Sequence, residues 1–179
     1  METRETKTPY PNIPPILESD DREYHDPGVP STVAIAGHPL HPLSVIFPIA
    51  FLAAALGTDV GYWLTRDPFW ARASLWLVGA GLAGGVVAAL IGMSDFLRIE
   101  RVRKRTAGWA HMIINVTLLV LTVVNLVLRL QNPVGAILPW GLVISTIVGT
   151  LTSISGWYGA ELSYRHKIGV VGPGSRTQP

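Results

Sequence analysis

Five histidines and no cysteine set the chemistry open to this 179-residue chain. Two of the histidines lie in Gly37-His38-Pro39-Leu40-His41-Pro42, each followed by proline. A residue before proline is pushed out of the α region toward extended backbone. Proline itself suits the first turn of a helix, where its missing N–H would be unpaired anyway. The motif therefore reads as a stiff turn that sets two imidazoles at the mouth of an apolar helix starting near Pro42. His111 stands at the start of another apolar helix and His166 just past the end of a further one. Imidazole is the commonest metal ligand in proteins and an axial ligand of haem. The absence of cysteine excludes disulfides, Cys-ligated zinc, iron–sulfur clusters, thiolate-bound haem and a cysteine nucleophile. One b-type haem held by two histidines, or a single metal ion held by histidine and carboxylate, stays open. No HExxH, no phosphate loop with its lysine and no nucleophile–base pair is present.

The elements that must position these residues follow from charge. Only 15% of residues are charged, against about 25% in a soluble domain. Seven of the 12 acidic residues fall before residue 30. No charged residue interrupts Leu75–Ser94, Ala107–Leu128 or Val134–Ala160, and residues 42–64 contain only Asp59. Stretches of about 20 apolar residues are long enough to cross a bilayer. The expected fold class is all-α, an integral membrane four-helix bundle with helices at about 42–64, 71–97, 108–130 and 136–160. Pro48 is expected to kink the first helix, which membrane helices tolerate. Residues 1–36, proline-rich and then acidic, are expected to form a disordered cytoplasmic tail, with His25 solvated in it. The transmembrane domain covers 37–168, and 169–179 is a flexible end. Residues 1–31 hold no apolar segment of the kind a signal peptide needs. The formal charge of +2 joins a basic membrane domain to an acidic tail and does not imply nucleic acid binding.

Polar and small residues recur along three helices at alternating steps of four and three, one helix face. On the second helix they are Gly81, Gly85, Ala88, Gly92 and Asp95. On the third they are His111, Asn115, Leu118 (the apolar exception), Thr122, Asn125 and Arg129. On the fourth they are Ser145, Gly149, Thr152, Gly156 and Gly159. Small residues let membrane helices approach closely, and unpaired polar groups in hydrocarbon cost several kcal/mol (about 2–7 for an amide or hydroxyl), so these stripes should face the bundle interior. Asp59 and Arg129 come at similar depth, and a structural ion pair is expected.

Lysine and arginine bias in short loops sets orientation. Arg98, Arg101, Arg103, Lys104, Arg105, Arg165 and Lys167 mark one side, and Arg66, Arg72 and Arg129 the other. The first side is expected to be cytoplasmic, giving an N-in/C-in protein of the inner (cytoplasmic) membrane. His38, His41, Asp95, His111, Asn115 and His166 then all fall at the cytoplasmic end. His41 and His111 are the expected ligands, with His38 and His166 as alternates. Asp95 and Asn115 are expected to support them from behind, Asp95 by accepting a ring N–H. The competing reading is structural: the histidines cap helix ends, no cofactor is bound, and the protein is a non-catalytic membrane component.

Ala36-Gly37-His38-Pro39-Leu40-His41-Pro42 leading into Phe47-Pro48, Asp95, Trp109 with His111 and Asn115, and Gly156-Trp157-Tyr158-Gly159 through Tyr164-Arg165-His166 resemble a bacterial family of four-helix inner-membrane proteins, the domain of unknown function 2231 family. The resemblance covers about residues 33–170. The plan is also similar to that of b-type cytochromes such as the b561 group. It implies a redox setting, electron transfer rather than substrate turnover, and a redox protein as partner beside the lipid bilayer. The b561 plan has histidine pairs toward both membrane faces, whereas this topology puts all four histidines on one. The most this chain would hold is one haem or one metal ion.

Overall fold

The computed structural model describes residues 28–170. Four helices in it are long and apolar enough to cross a membrane: Leu40–Thr65, Pro68–Arg98, Thr106–Gln131 and Ile137–Arg165. They form an up-and-down bundle, so the chain is an all-α, multi-pass membrane protein. The order is β1 (Ala34–Ile35), β2 (His38–Pro39), α1 (Leu40–Ser44), α2 (Ile46–Thr65), α3 (Pro68–Arg98), α4 (Glu100–Arg103), α5 (Thr106–Gln131) and α6 (Leu142–Ala160). The first membrane helix is thus α1 plus α2. It breaks at Val45 because Pro48 has no N–H to offer the Ser44 carbonyl, as the sequence leads one to expect.

The ends of the helices have identifiable causes. Asp67 accepts a hydrogen bond from the Phe69 N–H (2.8 Å) and Pro68 opens α3, an N-cap followed by a proline at home in a first turn. At the other end of α3, the Arg103 guanidinium donates to the carbonyls of Phe96 (2.7 Å) and Leu97. One arginine of the basic run therefore satisfies helix-end carbonyls. Trp109 holds the next turn by donating to the Arg103 carbonyl at 2.9 Å. The fourth helix is less regular than the sequence suggests. Residues Ile137–Gly141 make a wide turn in which the Gly141 N–H bonds Ala136 O (2.9 Å), and Glu161–Arg165 make another, with the His166 N–H on Glu161 O (3.1 Å).

One finding alters the expected boundaries. Residues 28–36, assigned above to the tail, are built into the fold. Val29 bridges to Ile168, and its carbonyl accepts from the Gly169 N–H at 2.8 Å; Ser31 is fully buried. Residues 1–27, with His25, and 171–179 lie outside the described part. The α6 stripe faces inward as well: Ser145 is buried, a Cβ on Gly149 would come within 3.2 Å of Leu56 and one on Gly159 within 3.1 Å of His111, and Thr152 and Gly156 line a cavity; Val148 and Ser155, beside the stripe, are buried too. The α5 stripe holds: Leu118, Thr122, Asn125 and Arg129 are buried. So does that of α3, where a Cβ on Gly81 would come within 2.7 Å of Leu52 and one on Gly85 within 2.9 Å of Leu119.

Candidate functional site

Two polar layers join the helices. The first centres on Asp59 and Arg129, both fully buried. The guanidinium donates to both carboxylate oxygens, at 2.9 and 2.6 Å. Its remaining N–H groups reach Asn125 Oδ1 (2.9 Å), Ser74 Oγ (2.7 Å) and Ser145 Oγ (3.1 Å). Ser74 in turn donates to Asp59 at 2.6 Å. A residue from each of α2, α3, α5 and α6 takes part, which is how a buried charge pair is made tolerable.

The second layer holds the histidines. The rings of His41 and His111 face one another across the bundle, 6.1 Å between centroids with planes perpendicular. Each is held in the same way. His41 Nδ1 lies 3.0 Å from the Ala88 carbonyl oxygen, and a Cβ on Gly92, one turn further along α3, would stand 2.6 Å from the ring. His111 Nδ1 lies 2.9 Å from the Ser155 carbonyl oxygen, and a Cβ on Gly159, one turn further along α6, would stand 3.1 Å from the ring. A carbonyl only accepts, so each Nδ1 carries the proton and each Nε2 keeps its lone pair. That is the tautomer in which a ligating imidazole is normally fixed by a backbone carbonyl.

The repetition extends through the helices. Pro48, Leu52, Ala55 and Asp59 are the buried residues of α2, at 7, 11, 14 and 18 residues after His41. Leu118, Thr122, Asn125 and Arg129 are buried at the same offsets after His111. The two helical hairpins are thus in one register, with the two imidazoles in equivalent places. The supports differ. His111 Nδ1 is also 3.1 Å from Ser155 Oγ, which accepts from Asn115 Nδ2 at 2.6 Å. The equivalent residue on α3 is Ala88, which has no hydroxyl.

A cavity of about 440 Å³ lies between the rings and the helices, lined mostly by apolar groups, with Pro48, Leu118, Gly92 and Gly159 on its walls. Pockets for small molecules span roughly 300–1,000 Å³. The donor set (two inward imidazoles), the apolar walls and the glycines beside each ring fit a flat cofactor ligated from both sides.

The other expected residues are placed elsewhere. His38 is exposed, its Nδ1 2.9 Å from the Ala36 carbonyl in the β1–β2 turn. His166 is buried, with Nε2 3.9 Å from Glu161 Oε1, and is not among the residues lining the cavity. Two of the four histidines therefore meet, and the expected convergence of four is corrected. Asp95 lines the cavity, but its oxygens accept from Ser31 Oγ, Thr32 N and Thr32 Oγ1, each at 2.7 Å. It braces the N-terminal segment and not an imidazole. Asn115 does support His111, through Ser155. Ser155 and Ser31 were missed by the sequence reading. Ser155 lies beside the α6 stripe, where small size and spacing do not mark it.

The model of the family described as "Predicted membrane protein (DUF2231)" matches residues 37–172. The chain belongs to that family. The match begins at the glycine of the His38–His41 turn and runs past α6, so both polar layers of this DUF2231 member lie inside it. No curated protein and no solved structure matches the chain.

Proposed function

We propose that His41 and His111 are the two protein ligands of one b-type haem, and that the chain is a one-haem electron-transfer module of the cytoplasmic membrane. The observation that carries this reading is the pair of equivalently held imidazoles with both Nε2 lone pairs unprotonated. A metal between two imidazoles needs nitrogens about 4 Å apart, twice the ~2 Å metal–nitrogen bond, and adding roughly 1 Å from nitrogen to ring centre on each side gives centroids about 6 Å apart. The 6.1 Å separation agrees with that. A bare ion commonly takes four ligands, and among the described residues no group of three or more His, Asp or Glu could hold one. Haem needs only two from the protein, so haem is favoured over a single metal ion. Bound there, it would supply one-electron redox chemistry. The chain's own part is to fix both imidazoles in the ligating tautomer and keep water out of the apolar walls.

The basic residues between Arg98 and Arg105 lie at the histidine end, so by loop charge this end is cytoplasmic and the arrangement N-in/C-in. A soluble redox protein would then dock there. A second reading is structural, because each Nδ1 bond also ties one helix of a hairpin to the other. Purification in mild detergent from cells supplied with haem precursor, followed by a reduced-minus-oxidised spectrum, separates the two. Soret and α bands that disappear in His111→Ala and in His41→Ala are expected. A colourless, metal-free protein that keeps its helical content would sink both haem and metal.

A further inference from the structure

We infer that Asp95 is a positioning residue for His41, acting through the N-terminal segment, and that this makes His41 the releasable histidine of the pair and His111 the fixed one. The inference rests on reading the two as a ligand pair. Residues 28–35 form a strap across the histidine end. One end is pinned to the chain's C-terminal side, where the Val29 N–H donates to Lys167 O at 2.9 Å. Its middle is latched by the three hydrogen bonds to Asp95. Ser31 Oγ in turn accepts from the Val33 N–H at 3.1 Å, and the Val33 carbonyl accepts from the Leu40 N–H at 3.0 Å. Leu40 is the first residue of α1, one before His41. A continuous chain of hydrogen bonds thus runs from Asp95 through Ser31 and Val33 to the turn that carries the imidazole.

That turn depends on such support. α1 has five residues, no side-chain cap, and a break from α2 at Val45. A helix this short does not hold itself in water or lipid, since nucleation outweighs its few hydrogen bonds. It enters from a two-residue ladder whose connecting turn, Ala36 and Gly37, takes positive φ at both residues (49° and 80°). His111 has the opposite setting. It lies in the 26-residue α5, and its Nδ1 has both the carbonyl and the hydroxyl of Ser155, the latter held by Asn115. Loosening the latch should therefore free His41 and leave His111 in place.

The test compares Asp95→Asn with the strap-side double variant Ser31→Ala/Thr32→Val, which leaves α3 untouched should the first fail to fold. Amide hydrogen exchange reads the coupling without any cofactor. Both variants should speed exchange over residues 38–45 about tenfold, roughly the weight of one lost hydrogen bond to a charged group, while residues 106–116 stay unchanged. In the reduced, haem-loaded protein, carbon monoxide probes the position that His41 holds. Its binding should quicken about tenfold in both variants. Faster exchange in 28–35 with none in 38–45, or carbon monoxide kinetics equal to the unaltered protein, would overturn the role given to Asp95. A haem band missing from the unaltered protein would instead overturn the ligand pair, and the exchange result would still stand or fall by itself.

Discussion

Asp59 and Arg129 occupy the same helix register as His41 and His111, some 27 Å further along at ~1.5 Å per residue, yet the two layers are finished differently. Around the ion pair, the carboxylate and guanidinium meet each other, two serines and an asparagine, and water is excluded. Around the histidines, only one nitrogen of each ring is used by a neighbouring helix, and the other side is a cavity. A layer in which the polar groups satisfy one another is a fastener. A layer whose rings border an apolar cavity has room for a ligand. The difference teaches that buried polarity in a membrane bundle can serve packing alone, and that incomplete partners are what single out a candidate site.

Breaking the fastener should have the largest effect. Arg129→Met leaves Asp59 buried without its counter-charge and should cost about 3–5 kcal/mol, read as a drop in melting temperature in detergent. Adding Asp59→Leu should restore most of it, since replacing a whole buried pair by apolar groups is often close to neutral. If the single variant melts like the unaltered protein, the two layers do not differ as described. Next is Gly92→Ala, whose methyl must displace the His41 ring. Overpacking of this kind costs about 1–3 kcal/mol, and the haem band should fall with it. Removing the support of His111 comes third: Ser155→Ala should cost about 0.6–1 kcal/mol, the usual worth of an interhelical hydrogen bond in a membrane, and should shift the reduction potential more than the melting temperature. An unchanged potential would show that Ser155 serves packing alone. The smallest effect belongs to Gly57→Ala, which has nothing within 4 Å of the added methyl and lies away from the cavity; it should stabilise by about 0.5–1 kcal/mol through helix propensity, with the spectrum unaltered.

Much of this was legible in sequence because a bilayer is a strict solvent. A carboxylate and a guanidinium at one depth in hydrocarbon must pair, so Asp59–Arg129 could be read directly. The α5 stripe could be read because nearly every polar residue of that helix lies on it, which also singled out His111 and Asn115. The α6 stripe could be read in part: Ser145, Gly149, Thr152, Gly156 and Gly159 do face inward, but the buried face also takes in Val148 and Ser155 beside them, which small size and spacing do not mark. The strap was not legible. Three hydrogen bonds to Asp95 from neighbouring residues leave no periodicity, and Ser31 and Thr32 sit in a polar run that reads as tail. His166 was misplaced for a related reason. Its depth was foreseen, but depth says nothing of which residues close the last wide turn of the helix around it.

The matching offsets of the two hairpins have one more consequence. Two separate, identical hairpins placed about a twofold axis could present two identical imidazoles to each other. They could never set a carboxylate against a guanidinium at the next layer, because both copies would carry the same charge there. Joining the hairpins in one polypeptide lets position 18 after the histidine be aspartate in one half and arginine in the other. The chain is in this sense symmetric at the histidines and antisymmetric at the clasp, and only unlike halves allow both.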